Sequence, residues 1–387
     1  MRRPWATAAL AAVSIAVALL VAELLVGWLV ALEEVTLVHD PLLGFRGRPD
    51  MAIPWTREMA GGQRTVRTNS GGYHDLERSR SRAAGQRRVV FLGDSFLEAY
   101  QVEVEANFSQ VLARALSGGG AGSGEPVEAV NLGVHGYGLG VHHLFVRYRL
   151  AAWSPDAVVL VLFLGNDLQD NYAPLASASV PRFTACDGEL VYVPAPSGGP
   201  RIWLRDRVLA RSNLMRFLWM RVVKTNRGAM QWARRAGLVS TPNTAVAGAA
   251  HQDRMLAAAD HLLGRIADDL ATAGVGLLVY VIPDPILLHH RIEAADGAGP
   301  AGADETAAAG VEVDGLLRQK ARLEAGVLEI LHRREIGFLY PGDLFARRLR
   351  AGEAMYRDGF GHFTAAAHQL SADLLEGPVR YLLDGAR

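Results

Sequence analysis

Four apolar-rich runs, the first of them continuous and the second broken only by Glu128 and Asn131, constrain this chain more than any other feature. They lie in "RRVVFLG", "VEAVNLG", "DAVVLVLFLG" and "VGLLVYVI". A strand with one wet face alternates apolar and polar residues, whereas a strand covered on both faces does not. Between and after these runs come helical patterns: "FSQVLARAL", "GVHHLFVRYRLAAW", "RMLAAADHLLGRIADDLATA", "VDGLLRQKARLEAGVLEILHRR" and "TAAAHQLSADLLEGPVRYLL". A shorter strand is expected at "IGFLY". Strands alternating with helices predict a parallel sheet with helices on both faces.

The start of the chain obeys a different rule. "WATAALAAVSIAVALLVAELLVGWLVAL" carries one charge, Glu23. A helix that crosses a membrane needs about 20 apolar residues, and a secretory apolar core is shorter, about 7–15. The length, and the poor cleavage site "VALEEV" after it, predict an uncleaved anchor rather than a signal peptide. Arg2 and Arg3 precede the run, and Glu33 and Glu34 follow it. Positive-inside logic then places the rest of the chain outside the cytoplasm, as a single-pass protein of the cytoplasmic membrane. Glu23 is costly in lipid and calls for a partner helix or a proton.

The expected organisation is therefore an anchor over residues 1–37, a connector over 38–87 and a main domain over 88–387. The connector is rich in Gly, Pro and Arg and is expected to pack on the main domain. An insertion at about 170–252 interrupts the alternation after the third strand. It contains a hairpin pattern, "RFTACDGELVYV", with Asp187-Gly188 at its turn. A basic amphipathic helix, "LRDRVLARSNLMRFLWMRVV", follows. Ligands of open parallel sheets bind beyond the carboxyl ends of the strands, so an insertion leaving from that edge is placed to act as a lid. Formal net charge of +0 gives no sign of a nucleic-acid partner, and the single cysteine, Cys186, excludes an internal disulfide or a multi-cysteine metal site.

Three of the apolar runs end in polar turns on one edge of the expected sheet: "GDSF" after the first, "NLGVHGYG" after the second, "LGND" after the third. Near the C-terminus stands "RDGFGHFTAAAH". Taken singly, Ser95, Gly136 and Asn166 read as an ordinary helix cap and ordinary turns, and Asp94 as an N-cap. In this order and placement the four blocks resemble those of the SGNH/GDSL hydrolase superfamily, in its membrane-anchored bacterial form. The likeness runs from about residue 89 to the C-terminus, without the insertion. "DPLLGFRGRPD…TNSGGYHD" also resembles the region upstream of the anchored members.

The resemblance implies a flavodoxin-like three-layer α/β/α sandwich. It makes Ser95 the nucleophile and His362 its base. The Ser95 and Gly136 N–H groups and the Asn166 side-chain amide become oxyanion donors. It requires no cofactor. The chemistry suits these residue types: a serine hydroxyl needs a base to become nucleophilic, and acyl transfer needs donors already aimed at the oxyanion. The family spacing Asp-x-x-His is not kept. Asp358 and His362 have three residues between them, and the family's acid position falls on Gly359. Two arrangements follow: a loop bulged by one residue that still brings Asp358 to His362, which is the expected triad, or a Ser95–His362 dyad. Asp343 is a more distant candidate acid.

Other chemistries find less support. There is no G-x-S-x-G elbow, H-E-x-x-H motif or P-loop lysine motif. "GYGLG" lacks the spacing and the ribose-binding acid of a dinucleotide loop. His135, His142 and His143 cluster, as do His289 and His290, but packing and surface roles are the commoner fate of such residues, and no metal is expected. Asp167 reads as a turn residue. The expected activity is hydrolysis of a carboxylic ester, including acetyl groups on an envelope or extracellular carbohydrate. The alternatives are an O-acyltransferase and a non-catalytic glycan-binding or assembly protein.

Overall fold

The computed structural model describes residues 4–30, 35–55, 64–118, 125–172, 180–186, 188–236, 238–239, 248–295, 313–359 and 361–385. The charges at Arg2, Arg3, Glu33 and Glu34, the turn residue Asp187 and the glycine loop after residue 118 fall outside the described residues. The chain divides into two compact units. One comprises residues 1–40 with 196–242, the other residues 41–195 with 243–387.

In the first unit, helix α1 (Pro4–Leu29) is continuous, and its window Thr7–Leu29 is long and apolar enough to cross a membrane. The basic stretch expected as one helix is broken. Pro200–Trp203 runs on into the π-helical Leu204–Leu209, and a new helix starts at Asn213–Leu218 and continues through Trp219–Val223. The break is at Ser212, whose hydroxyl accepts from the Met215 N–H at 3.1 Å as an N-cap. Arg227–Arg235 forms a further helix, capped by Asn226.

The second unit is built on five parallel strands: β1 (Arg87–Leu92), β2 (Val127–Asn131), β3 (Ala157–Phe163), β4 (Gly276–Ile282) and β5 (Phe338–Leu339). Their order across the sheet is 2-1-3-4-5, the flavodoxin-like order. Each predicted apolar run is a strand. Val89, Phe91, Val159, Val161, Tyr280 and Ile282 share one buried face with α3 (Phe108–Gly118) and, at the C-terminal end, α10 (Ala365–Gly385). Strand side chains alternate between faces, so Val90, Leu92, Val158, Leu160 and Val281, also buried, point to the other side. That side belongs to α4 (Leu139–Tyr148) and α6 (Ala249–Thr272), with α8 (Val313–Arg333) packed on α6. The result is a three-layer α/β/α sandwich.

Two shorter helices start near the carboxyl edge of this sheet: α2 (Ser95–Glu98), after β1, and α5 (Asp167–Asp170), after β3. Beyond β4 lie α7 (Pro285–Ala295) and, after β5, α9 (Gly342–Arg350). The insertion expected at 170–252 is divided between the units. Its hairpin, Arg182–Cys186 paired antiparallel with Glu189–Val193, belongs to the sheet unit. The connector is tied to the sheet through Asp75, whose carboxylate accepts from the Asn131 N–H at 3.0 Å and pairs with Arg78 at 3.0 Å.

Candidate active site

Strand β1 lies between β2 and β3, so the turn after β1 is flanked by the loops that follow its two neighbours. Ser95 stands on that turn as the first residue of α2. A helix's first N–H groups have no acceptor one turn earlier, which leaves the Ser95 N–H available. Asp94 is the N-cap: fully buried, it accepts from the Phe96 N–H at 2.9 Å. The bland reading of this acid is therefore correct for Asp94, and it does not compete with the role of the serine beside it.

Ser95 Oγ lies 2.8 Å from His362 Nε2, across 267 residues of sequence. This is the geometry of a hydroxyl and the base that takes its proton. Phe96 holds the base in place. Its ring lies against the His362 ring at 4.9 Å between centroids and also against Phe163 and Phe363. The residue after Ser95 thus packs on the His362 ring, coupling the two members of the pair through the core.

The loop after β2 is bound to the Ser95 turn. Asn131 Nδ2 donates to the Leu97 carbonyl at 2.9 Å, the Val134 N–H donates to the Gly93 carbonyl at 3.2 Å, and His135 Nδ1 donates to the Glu98 carboxylate at 2.8 Å. Gly136 has φ +79°, a conformation that favours glycine. The loop after β3 carries Asn166, whose amide donates to Asp170 Oδ2 at 2.5 Å. That bond holds the amide plane and uses one of its two N–H donors. Asp170 was not singled out from sequence, although its place four residues beyond Asn166 puts it one helical turn away.

Around this edge the carboxylates are raised in pKa. Burial pushes up Asp94, Asp167 and Asp170, Asp170 to about 6; the charges of Asp94 and Asp170 raise Asp167 further, and that of Asp94 raises Asp170. Asp167 is completely buried and accepts from the Phe163 N–H at 2.8 Å, closing the turn as expected of it.

Asp358 is not brought to His362. It is exposed on the short turn Arg357–Gly359, with φ +49°, and its carboxylate makes no hydrogen bond or ion pair among the described residues. Asp343, in the first turn of α9, is exposed as well. The chain around His362 is held by backbone bonds instead: the Arg357 N–H to the His362 carbonyl at 2.8 Å and the Gly361 N–H to the Arg357 carbonyl at 2.7 Å. His289 Nε2 adds a bond to the Gly359 carbonyl at 3.1 Å, a contact that nothing in the local sequence announces. Phe360 lies outside the described residues.

The clustered histidines separate. His135 pairs with Glu98, while His142 is buried beside Tyr137 and pushed down to about 3, so it is neutral. Among the described residues no group of three or more His, Cys, Asp and Glu is arranged to hold a metal ion.

No family model and no curated protein matches the sequence. Solved structures with a similar layout include an acetyl xylan esterase, AlAXEase, at 13% identity and a TM-score of 0.40, covering 76% of this chain and 99% of that one. TesA aligns at 12% identity and 0.38, covering 76% of this chain and 99% of its own. A lipase/acylhydrolase from Enterococcus faecalis aligns at 11% and 0.37, covering 76% and 96%.

Proposed function

We propose that this chain is an SGNH/GDSL-type serine hydrolase of carboxylic esters, held at a membrane by α1 with its sheet unit outside the cytoplasm. The observation that carries the reading is the 2.8 Å contact between Ser95 Oγ and His362 Nε2 at the carboxyl edge of a parallel sheet. The order of the four sequence blocks supports the ester class.

In this reading His362 Nε2 takes the Ser95 proton as Oγ attacks the acyl carbonyl. The oxyanion is received by the Ser95 and Gly136 N–H groups and by the second amide hydrogen of Asn166. Collapse of the tetrahedral intermediate expels the alcohol, which takes the proton from His362. Water activated by the same histidine then attacks the acyl-Ser95 ester and releases the acid. The working unit is the Ser95–His362 pair, with the imidazole positioned by Phe96 and by the turn at 357–361. An acetylated carbohydrate of the cell envelope is the proposed substrate, on the grounds of the anchor and the family resemblance.

The test is labelling by a fluorophosphonate probe, together with acid release from p-nitrophenyl acetate and from a panel of acetylated sugars. Wild type should label and hydrolyse, and Ser95→Ala should do neither. A wild type that neither labels nor turns over any ester would refute the assignment.

A further inference from the structure

Glu23 is the one charge in the 26 residues of α1, and every part of its carboxylate is used. It accepts from Ser212 Oγ at 2.7 Å, from the Asn213 N–H at 2.5 Å and from the Leu214 N–H at 3.0 Å. These are the first donors of a helix that has no acceptor of its own for them. One turn further along α1 is Gly27, where a Cβ would come within 2.7 Å of Asn213 Nδ2, so the two helices meet closely. Glu23 precedes Leu29 by six residues, about 9 Å along the helix axis. With α1 across a bilayer, that depth is the boundary between acyl chains and headgroups, where amphipathic helices lie, about 5–10 Å in.

The docked segment has the matching chemistry. Between residues 200 and 235 there are ten Arg or Lys and one acid, Asp206. Trp203 and Trp232 are about 60% exposed, at 61% and 60%, and Val222 is 50% exposed. Exposed cations, among them Arg221, Lys224 and Arg227, alternate with these apolar groups. A nucleic acid would answer the charge but not the clamp to an apolar span. An anionic lipid surface answers both, taking the indoles into the acyl boundary and the guanidinium groups onto phosphates.

We infer that residues 200–235 form a second membrane-binding element, an interfacial segment clamped to the span by Glu23 and selective for anionic phospholipid. This rests on the proposal that α1 spans a bilayer. The experiment separates the two. In a Cys186→Ser background, full-length protein carries an environment-sensitive NBD label at Trp232→Cys or, separately, at Trp28→Cys. It is reconstituted into vesicles of phosphatidylcholine with or without phosphatidylglycerol, with doxyl-lipid quenchers. Retained p-nitrophenyl acetate turnover shows that each variant is folded. The expected result is quenching of the Trp28 label in both vesicle types. The Trp232 label should be quenched several-fold more strongly with phosphatidylglycerol, an increment weakened by salt. Glu23→Ala should remove quenching at 232 while sparing 28, and Arg221→Glu/Lys224→Glu/Arg227→Glu should abolish the phosphatidylglycerol increment. A label at 232 that stays in water while the one at 28 is quenched would overturn the inference and leave the anchor standing. A label at 28 that stays in water would overturn both.

Discussion

The two halves of the Ser95–His362 pair are held by different means. On the serine side, the carbonyl of Leu97 accepts from both Asn107 Nδ2 and Asn131 Nδ2, and His74 Nδ1 donates to the Glu98 carbonyl at 2.7 Å. Asp94 caps the helix start from full burial. On the histidine side, Asp358 is exposed, Asp358 and Gly359 both have positive φ, and the local backbone bonds are joined by His289 Nε2 at the Gly359 carbonyl and by Arg357 at the Gln101 carbonyl. Ser95, the proposed nucleophile, is fixed by contacts buried in the sheet edge, and His362, the proposed base, by a more exposed turn with its ring steadied by Phe96. A group that must keep one position through both acylation and deacylation is better placed on rigid scaffold, whereas a proton carrier tolerates a smaller adjustment.

The strongest way to break the comparison is to remove either member. Ser95→Ala and His362→Ala should each lower kcat for p-nitrophenyl acetate by about 10⁴–10⁶, with unchanged circular dichroism. The double variant should be no worse than either single one, because the two act as a unit. A His362→Ala enzyme within tenfold of wild type would disprove the pairing. Next in size is Asn166. If its free amide hydrogen receives the oxyanion, Asn166→Ala should cost about 10²–10³ in kcat with little change in KM. Asp170→Asn should cost less, since it loosens the amide without removing it. Equal kcat in wild type and Asn166→Ala would strike Asn166 from the oxyanion hole.

The raised carboxylates make the scaffold side testable through pH. Asp170 has an ordinary pKa of 3.8 and stands at about 6 in the folded chain, mainly through burial. The folded state therefore holds its proton more tightly than the unfolded state does. Stability from this group is fully present below pH 3.8 and is lost as pH rises through about 6. A shift of that size corresponds to about 3 kcal/mol. Full-length protein in detergent micelles should accordingly lose Tm between about pH 4 and pH 6, and Asp170→Asn should flatten that part of the curve. Identical pH profiles for the two proteins would show that the carboxylate is not held in this way.

The features legible in the sequence were those carried by local pattern. The apolar-rich runs became β1 to β4, because a strand buried on both faces is mostly apolar and admits a polar residue only with a partner, as Arg88 has in Glu128 and Asn131 in the Leu97 carbonyl. Ser95 and His362 could be named because a strand-to-helix turn and a C-terminal block recur in a recognisable order. What escaped depends on contacts far apart in the chain. The basic helix breaks at Ser212 beside a carboxylate 189 residues away, Glu23, and nothing between Leu204 and Val223 encodes that meeting. His289, on α7, reaches the Gly359 carbonyl 70 residues away in the same way. The insertion was read as one piece by its irregular composition, yet the contacts divide it near residue 196.

Asp358 yields the smallest expected effect and the sharpest contrast between the two halves of the site. The spacing from sequence favoured a bulged triad, in which Asp358→Asn would cost orders of magnitude. The backbone does take up the extra residue, with φ of +49° at Asp358 and +79° at Gly359. The bulge turns the carboxylate outward, where it makes no bond among the described residues. A solvated acid that does not touch the imidazole cannot fix its tautomer, which is what the acid of a triad contributes. Asp358→Asn should therefore leave kcat within about threefold of wild type, since surface substitutions away from a site change energies by only about 0.5 kcal/mol. Asp358→Gly, which relieves the left-handed backbone, should be equally active. If Asp358→Asn instead falls by 10³ or more while Asp358→Glu recovers part of the loss, the carboxylate does reach His362 during turnover. The turn at 357–361 must then close over the site as the substrate binds.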